Sequence, residues 1–378
     1  MDGSRKSTRL EQQGGKFLAA GQYGCVFMPT LKEREAIGKL PTNDKVLDGT
    51  KLDKLMLPEE ANLEFGIAKK IQAIPNWKDY FLVAEAMFIP ASKQTEKDLK
   101  ECEPIGDTEL SDLRILRMTY GGTPLNKFST KFHNFQFDRF VQHLLEAVTL
   151  LTLHGISHLD LHSANILVDD HGMPRIIDFN LSVDARTTGL VVDQISHKYM
   201  SSLMQEPPDS TLLTAIARKK AGDDVPSITR VIDDIMKEKT ILKTARSVLG
   251  MTEKEQRRGM VDFLETSKAA RNGDLELWYR TYWRVNDSWA FATNIIVLIN
   301  RMMLFKAFED RWGPEVMRIR GTLTKMMNTN PRERYDAVQA LYEMYPQSPF
   351  LTKPEYKNIY ALIIGWLAQV QQNKTKSQ

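Results

Sequence analysis

His158-Leu159-Asp160-Leu161-His162-Ser163-Ala164-Asn165-Ile166-Leu167, followed by Ile176-Ile177-Asp178-Phe179-Asn180, is the stretch that decides the reading of this chain. Asn165 lies five positions after Asp160, and Asp178 eighteen after it. A carboxylate can align an acceptor hydroxyl, while an amide oxygen and a second carboxylate can hold magnesium; phosphoryl transfer needs these three groups. The apolar pairs Ile166-Leu167 and Ile176-Ile177 predict short strands flanking the polar loop.

Working toward the N-terminus, Phe17-Leu18-Ala19-Ala20-Gly21-Gln22-Tyr23-Gly24-Cys25-Val26-Phe27 predicts a hairpin with glycines at its bend. Glycines there let backbone N–H groups approach a phosphate closely, although most such turns only connect strands. Glu35 to Leu40 predicts the next strand, with Lys39 chosen as a phosphate-facing lysine over Lys32, Lys45, Lys51 and Lys54. Residues 58–74 have helical periodicity, with Leu63, Ile67 and Ile71 four apart and Glu64 on the first half of the helix. Tyr80 to Ile89 and Leu113 to Tyr120 predict further strands, and the charged run between them, 91–112, an exposed loop.

After Gly121-Gly122 the pattern becomes helical. Phe137, Phe140, Val141, Leu144, Leu145 and Val148 form one stripe. Asp287 to Leu304 is apolar nearly all round, as in a buried helix. A β-rich first part, a glycine joint and a helical second part predict an α+β fold of two lobes, with a ligand cleft between them.

The whole set resembles the protein kinase superfamily. The resemblance implies a bilobal, protein-kinase-like fold: an N-lobe over 15–121, a C-lobe over 122–367 with a helical insertion at about 210–286, and flexible tails at 1–14 and 368–378. It implies ATP held by Ala19 (in place of the first glycine of the loop), Gly21, Gly24, Val26, Lys39, Met118 and Tyr120. Glu64 would hold the lysine, and Met118 to Gly122 would supply the hinge that meets adenine. Asp160 would act on the hydroxyl, with His162 near the γ-phosphate and His158 supporting the loop, and Asn165 and Asp178 would bind Mg²⁺. Asp287 would accept N–H bonds from the loop at His158 and Leu159. Arg334 would pair with Asp209, the acid that ends the activation segment at Gln205-Glu206-Pro207-Pro208-Asp209. Thr187, Thr188 and Tyr199 lie inside that segment as candidate phosphosites.

Three positions depart from the family pattern. Leu159 replaces the arginine that reads activation-loop phosphorylation, His162 replaces a lysine, and Asn180 replaces a glycine. Asn tolerates left-handed backbone best among non-glycine residues, so the metal-binding turn can survive. The combination of Gly21-Gln22-Tyr23-Gly24-Cys25-Val26-Phe27, the 158–167 loop and Asp178-Phe179-Asn180 is most similar to divergent Ser/Thr-type kinases of large nucleocytoplasmic DNA viruses. This implies a viral protein acting in host cytoplasm or packaged in virions. The activity implied is γ-phosphate transfer from ATP to Ser or Thr of protein substrates. His162 keeps open a small-molecule kinase of the same fold; Ala19, Leu159 and Asn180 keep open a pseudokinase that binds or scaffolds.

Composition sets the bounds. The 378 residues are 42% apolar and 26% charged, with a net charge of +3, which gives no electrostatic case for nucleic acid or an anionic membrane. The N-terminus lacks the apolar run of a signal peptide, and Ile295 to Leu304 is too short and polar to span a bilayer, so a soluble intracellular protein is expected. Two cysteines, Cys25 and Cys102, suggest neither a disulfide framework nor a zinc site.

Overall fold

A computed structural model of the chain describes residues 15–21, 23–39, 51–92, 94, 99–128, 135–186 and 200–376. The expectations for the 1–14 tail and for Thr187, Thr188 and Tyr199 fall outside these residues. The chain divides into two compact units. One runs to Lys70 and includes Leu82–Tyr120; the other holds Ile71–Phe81 and everything from Gly121 onward.

The first unit is built on a six-stranded sheet. Its strands are β1 (Phe17–Gly21), β2 (Gly24–Phe27), β3 (Glu33–Lys39), β4 (Lys51–Met56), β5 (Ala86–Pro90) and β6 (Arg114–Thr119), in the spatial order β1-β2-β4-β6-β5-β3. The β1–β2 hairpin pairs Gly21 with Gly24. A Cβ on Gly24 would lie 2.3 Å from the Leu55 carbonyl oxygen, so only glycine allows β4 to approach here.

Alternation along the strands gives the sheet two chemically distinct faces. Cys25, Phe27, Leu55, Ile115 and Phe88 form an apolar cluster on one face, joined by Leu31, Cys102 and Ile105. The same face buries Asp53, which takes two hydrogen bonds from Arg117 (2.9 and 3.0 Å) and one from the Leu31 N–H (2.8 Å). Val26, Lys54 and Leu116 are register partners on the opposite face.

Three expectations change here. The run 91–112 is not simply an exposed loop: Cys102 and Ile105 are buried in the cluster, because a second apolar layer is needed over the sheet. Cys25 and Cys102, expected as unlinked thiols, form a disulfide across 77 positions of sequence. On the helix Pro58–Gln72, Ile67 and Ile71 are buried as expected but Leu63 is exposed, and Ala61, Glu64, Phe65 and Ala68 complete the buried stripe. The helix therefore turns an acid inward.

The second unit is helical. The helix Phe137–Leu153 buries its whole apolar stripe, and Asn286–Met302 is buried on nearly every side. Short strands β7 (Thr123–Pro124), β8 (Ile156–Ser157), β9 (Ile166–Val168), β10 (Pro174–Ile176) and β11 (Val183–Asp184) hold the loops between these helices. β9 pairs antiparallel with both β10 and β7. Gly122, at φ 114°, is required where the chain enters, since a Cβ would meet the Val168 oxygen at 2.3 Å.

The 210–286 region folds as a succession of helices: the remainder of Pro208–Lys220, then Ile228–Glu238, Thr240–Leu249, Glu253–Thr266, Lys268–Asn272 and Leu275–Tyr282. Their short lengths follow from local capping. Ser227, Ser267 and Asp274 cap three N-termini, Thr252 with Glu255 forms a capping box, and Gly250 and Gly273 end two helices in the left-handed region. Among the described residues no helix is long and apolar enough to cross a membrane.

Arg334 Nη2 lies 2.5 Å from Asp209 Oδ1, with both side chains fully buried, as the family resemblance implied. Trp278 donates a second bond to Asp209 (3.0 Å), and the Arg334 guanidinium stacks on Trp289. Removing one partner of a buried pair strands the other charge away from water. Arg334→Met should therefore lower unfolding stability by about 3–5 kcal/mol, measured by urea denaturation, whereas a change within error would mean that the pair is dispensable.

Candidate functional site

Two constellations of polar side chains stand out, one in each unit. In the first unit, Lys54 on β4 reaches Glu64 of the Pro58–Gln72 helix at 3.0 Å. Both are buried, at 7% and 5% exposure. Val26 lies directly opposite Lys54 on β2, and Leu52 opposite Met118 on β6. Ala19, Gly21 and Gly24 belong to the hairpin that ends this row. Tyr120 follows β6 with its side chain about half exposed.

The lysine assignment is thus corrected. Lys39 ends β3, an edge strand that pairs only with β5, on the far side of the sheet from the β1–β2 hairpin. The strand that pairs with β2 is β4, which comes later in the chain, so Lys54 takes the position beside Val26 and Glu64. Lys51, three residues earlier, turns to Glu85 and Thr119 instead. The sequence signal was weak: Lys51-Leu52-Asp53 alternates polar and apolar residues, but Lys54-Leu55-Met56 breaks the alternation, and the run up to Lys54 was read as part of an inserted loop.

In the second unit the 158–165 loop is fixed from below. The buried Asp287 carboxylate accepts the N–H groups of His158 (2.7 Å) and Leu159 (3.0 Å). Leu159 sits at φ 62°, a left-handed conformation that a branched side chain adopts at a cost. Asn294, two turns further along the same helix, donates to the Leu161 carbonyl (2.9 Å). His158 accepts the Asp160 N–H at Nδ1 (3.3 Å) and donates from Nε2 to the Ile177 carbonyl (2.9 Å). It therefore ties the loop to the Asp178 turn, and its ring packs on Phe179.

Asp160 is the focus of this loop. Asn165 Nδ2 donates to the Asp160 carbonyl (3.0 Å) and to Oδ2 (3.3 Å). Gln205 Nε2 donates to Oδ1 (3.2 Å), and His162 Nε2 lies 3.5 Å from Oδ2. Burial alone would raise the Asp160 carboxyl; the bond and charge of His162, with smaller help from His158 and Gln205, outweigh it and hold it below the usual range. The bond to Asp160 in turn raises His162, against burial, and the Asp178 charge adds to the rise.

Asp178 adopts φ 63°, and the following Phe179 is buried against Phe81 as well as His158. The left-handed residue of this turn is Asp178, whereas Asn180, expected to need that freedom, does not adopt it. Because the Asn165 amide hydrogens go to Asp160, its Oδ1 is the atom left to meet a cation. An amide oxygen and a carboxylate suit a hard divalent ion such as Mg²⁺, which is commonly held by one or two protein groups plus phosphate oxygens.

Beside Asp160 lies a cavity of about 170 Å³, lined by Leu125, His162, Met204, Gln205, Val297 and Arg301 among others. Sequence reasoning missed Gln205 as a partner of Asp160, having read it only as the start of a segment end. No spacing rule marks a glutamine 45 positions away.

Comparison with known proteins agrees with this geometry. The chain aligns over 175 residues, at 26% identity, with the CBL-interacting serine/threonine-protein kinase 15 of Arabidopsis thaliana. That alignment covers 46% of this chain and 35% of the plant protein, so the chain matches about a third of its relative's length. Residues 109–346, more than half of the chain, match the model of the protein kinase domain. With its β-rich first unit and helical second unit, the chain belongs to the protein kinase domain family.

Proposed function

We propose that this protein transfers the γ-phosphate of ATP, with Mg²⁺, to Ser or Thr hydroxyls of protein substrates. The observation that carries the reading is the Asp160 carboxylate, held ionised and oriented by Asn165, Gln205 and His162. An ionised carboxylate with fixed orientation can accept the proton of an acceptor hydroxyl and align its oxygen.

ATP with Mg²⁺ supplies the phosphoryl group and neutralises the charge that develops on it. Asn165 and Asp178 are the residues that would hold the metal. Lys54, kept in place by Glu64, is the phosphate-facing cation, and Gly21 and Gly24 carry no side chain that would keep a phosphate from the hairpin backbone. Val26 and Met118 offer apolar surface for the base, beside Ala19 and the Tyr120 backbone.

The acceptor class rests on the second unit. The cavity beside Asp160, at about 170 Å³, is smaller than the roughly 300–1,000 Å³ that small-molecule sites usually enclose. It suits one side chain of a polypeptide. The Ser/Thr preference follows the plant relative, a serine/threonine-protein kinase by name, and a viral origin is inferred from the sequence motifs named above.

Labelled-ATP transfer to a generic basic protein tests the reading. Asp178→Ala should abolish transfer, and Asp160→Asn should lower kcat by about 10²–10⁴-fold with little change in ATP binding. Wild-type turnover in either variant would refute the assignment.

The same assay separates the two lysines. Lys54→Met should cost about 10²–10³-fold in kcat, while Lys39→Met, on a strand that does not pair with β2, should stay within about twofold of wild type. The reverse order would return the role to Lys39.

A further inference from the structure

The chain segment that reaches Asp160 from outside the catalytic loop is Ser201–Glu206, through Gln205. Its own hydrogen bonds lead to a single helix junction in the 210–286 region. Lys239, between the helices Ile228–Glu238 and Thr240–Leu249, donates from Nζ to the carbonyls of Leu203 and Glu206 (the latter at 3.1 Å). Its neighbour Glu238 accepts the Ser201 hydroxyl. On its other side Thr240 Oγ1 contacts Met204 Sδ at 3.1 Å. Three consecutive residues thus grip four of the six positions from 201 to 206. From the opposite side, Trp289 Nε1 (3.0 Å) and Thr293 Oγ1 (3.4 Å) donate to the Met204 carbonyl.

Lys239 is completely buried. A buried lysine is costly unless its donors are used, and here they are used on the two carbonyls that bracket Met204 and Gln205. Burial pushes its ammonium down to about 8, against the charges of Glu206 and Asp209. A lysine placed so expensively is poorly explained as a helix connector alone. Leu159 adds an independent reason: the side chain next to Asp160 is aliphatic and supplies no cation for a phosphate on this segment.

We propose that Glu238, Lys239 and Thr240 are positioning residues, which hold Ser201–Glu206 so that Gln205 meets Asp160 and Met204 walls the adjoining cavity. The role rests on the kinase reading above. The 210–286 insertion then orders the acceptor side of the site by fixed contacts, a task that a phosphate performs elsewhere by pairing with arginine.

The test uses the full chain and two variants, Lys239→Met and the exposed pair Glu238→Ala with Thr240→Val, the second guarding against a folding defect in the first. Hydrogen–deuterium exchange is followed in peptides covering 200–207 and 286–302. Steady-state kinetics use Mg-ATP and a generic basic protein. Exchange in 200–207 should quicken by about tenfold or more in Lys239→Met, and less in the pair, while 286–302 keeps its protection. Acceptor kcat should fall about tenfold or more, with the Kd for Mg-ATP within about twofold. Unchanged exchange in 200–207 in both variants would overturn the proposal, as would loosening spread equally over 286–302 in the exposed pair. Absence of transfer by the wild type would sink the kinase reading alone, since the exchange result still decides whether the junction holds the segment.

Discussion

The Asp287 carboxylate is the anchor on which the 158–165 loop depends. It is buried, and it satisfies two consecutive backbone donors, His158 and Leu159, that the left-handed turn at Leu159 would otherwise leave without helix or sheet partners. The turn aims Asp160 and the Asn165 amide at one another. His158 passes the constraint on to Ile177 and so to Asp178. The Asn286–Met302 helix is buried almost throughout, and so provides a rigid base for a strained loop. One carboxylate thus links core packing to the placement of three polar side chains.

The first unit solves a different problem. A lysine of the sheet and a glutamate of the Pro58–Gln72 helix are buried together at 3.0 Å. Such pairs add little net stability, because desolvation offsets most of the attraction. The phosphate-facing role proposed for Lys54 gives a reason for the pair that folding does not. The opposite face of the same strand carries a second buried ion pair, Asp53 with Arg117. Strand β4 is therefore tied by charge on both faces, to β6 through Arg117 and to the Pro58–Gln72 helix through Glu64.

Much of this was legible in the sequence wherever function and local pattern coincide. The 158–180 loop, the hairpin, the Phe137–Leu153 stripe and the Asp287 helix are short-range signals, and each folds as its pattern indicates. Long-range choices were not legible. Lys39 and Lys54 both sit on strands, and only sheet order, set by which strand pairs with β2, separates them. Glu64 was legible as the partner of the lysine, and it is buried in that role, although the stripe was also drawn through Leu63, which is exposed. The Cys25–Cys102 bond and the Gln205–Asp160 contact join residues 77 and 45 positions apart, and no local rule selects such partners. The 210–286 region showed helical composition but no catalytic signature. Its connection to the site becomes visible only through the contacts of Glu238, Lys239 and Thr240.

The most direct measurement is amide exchange across residues 156–167 in Asp287→Asn, which keeps the size of the side chain but turns one acceptor into a donor. The structure predicts that the His158 and Leu159 amides lose protection by about tenfold or more while the Phe137–Leu153 helix keeps its own. Phosphotransfer should fall with them. Full protection and full turnover in this variant would show that the loop is shaped without Asp287, and would contradict the account.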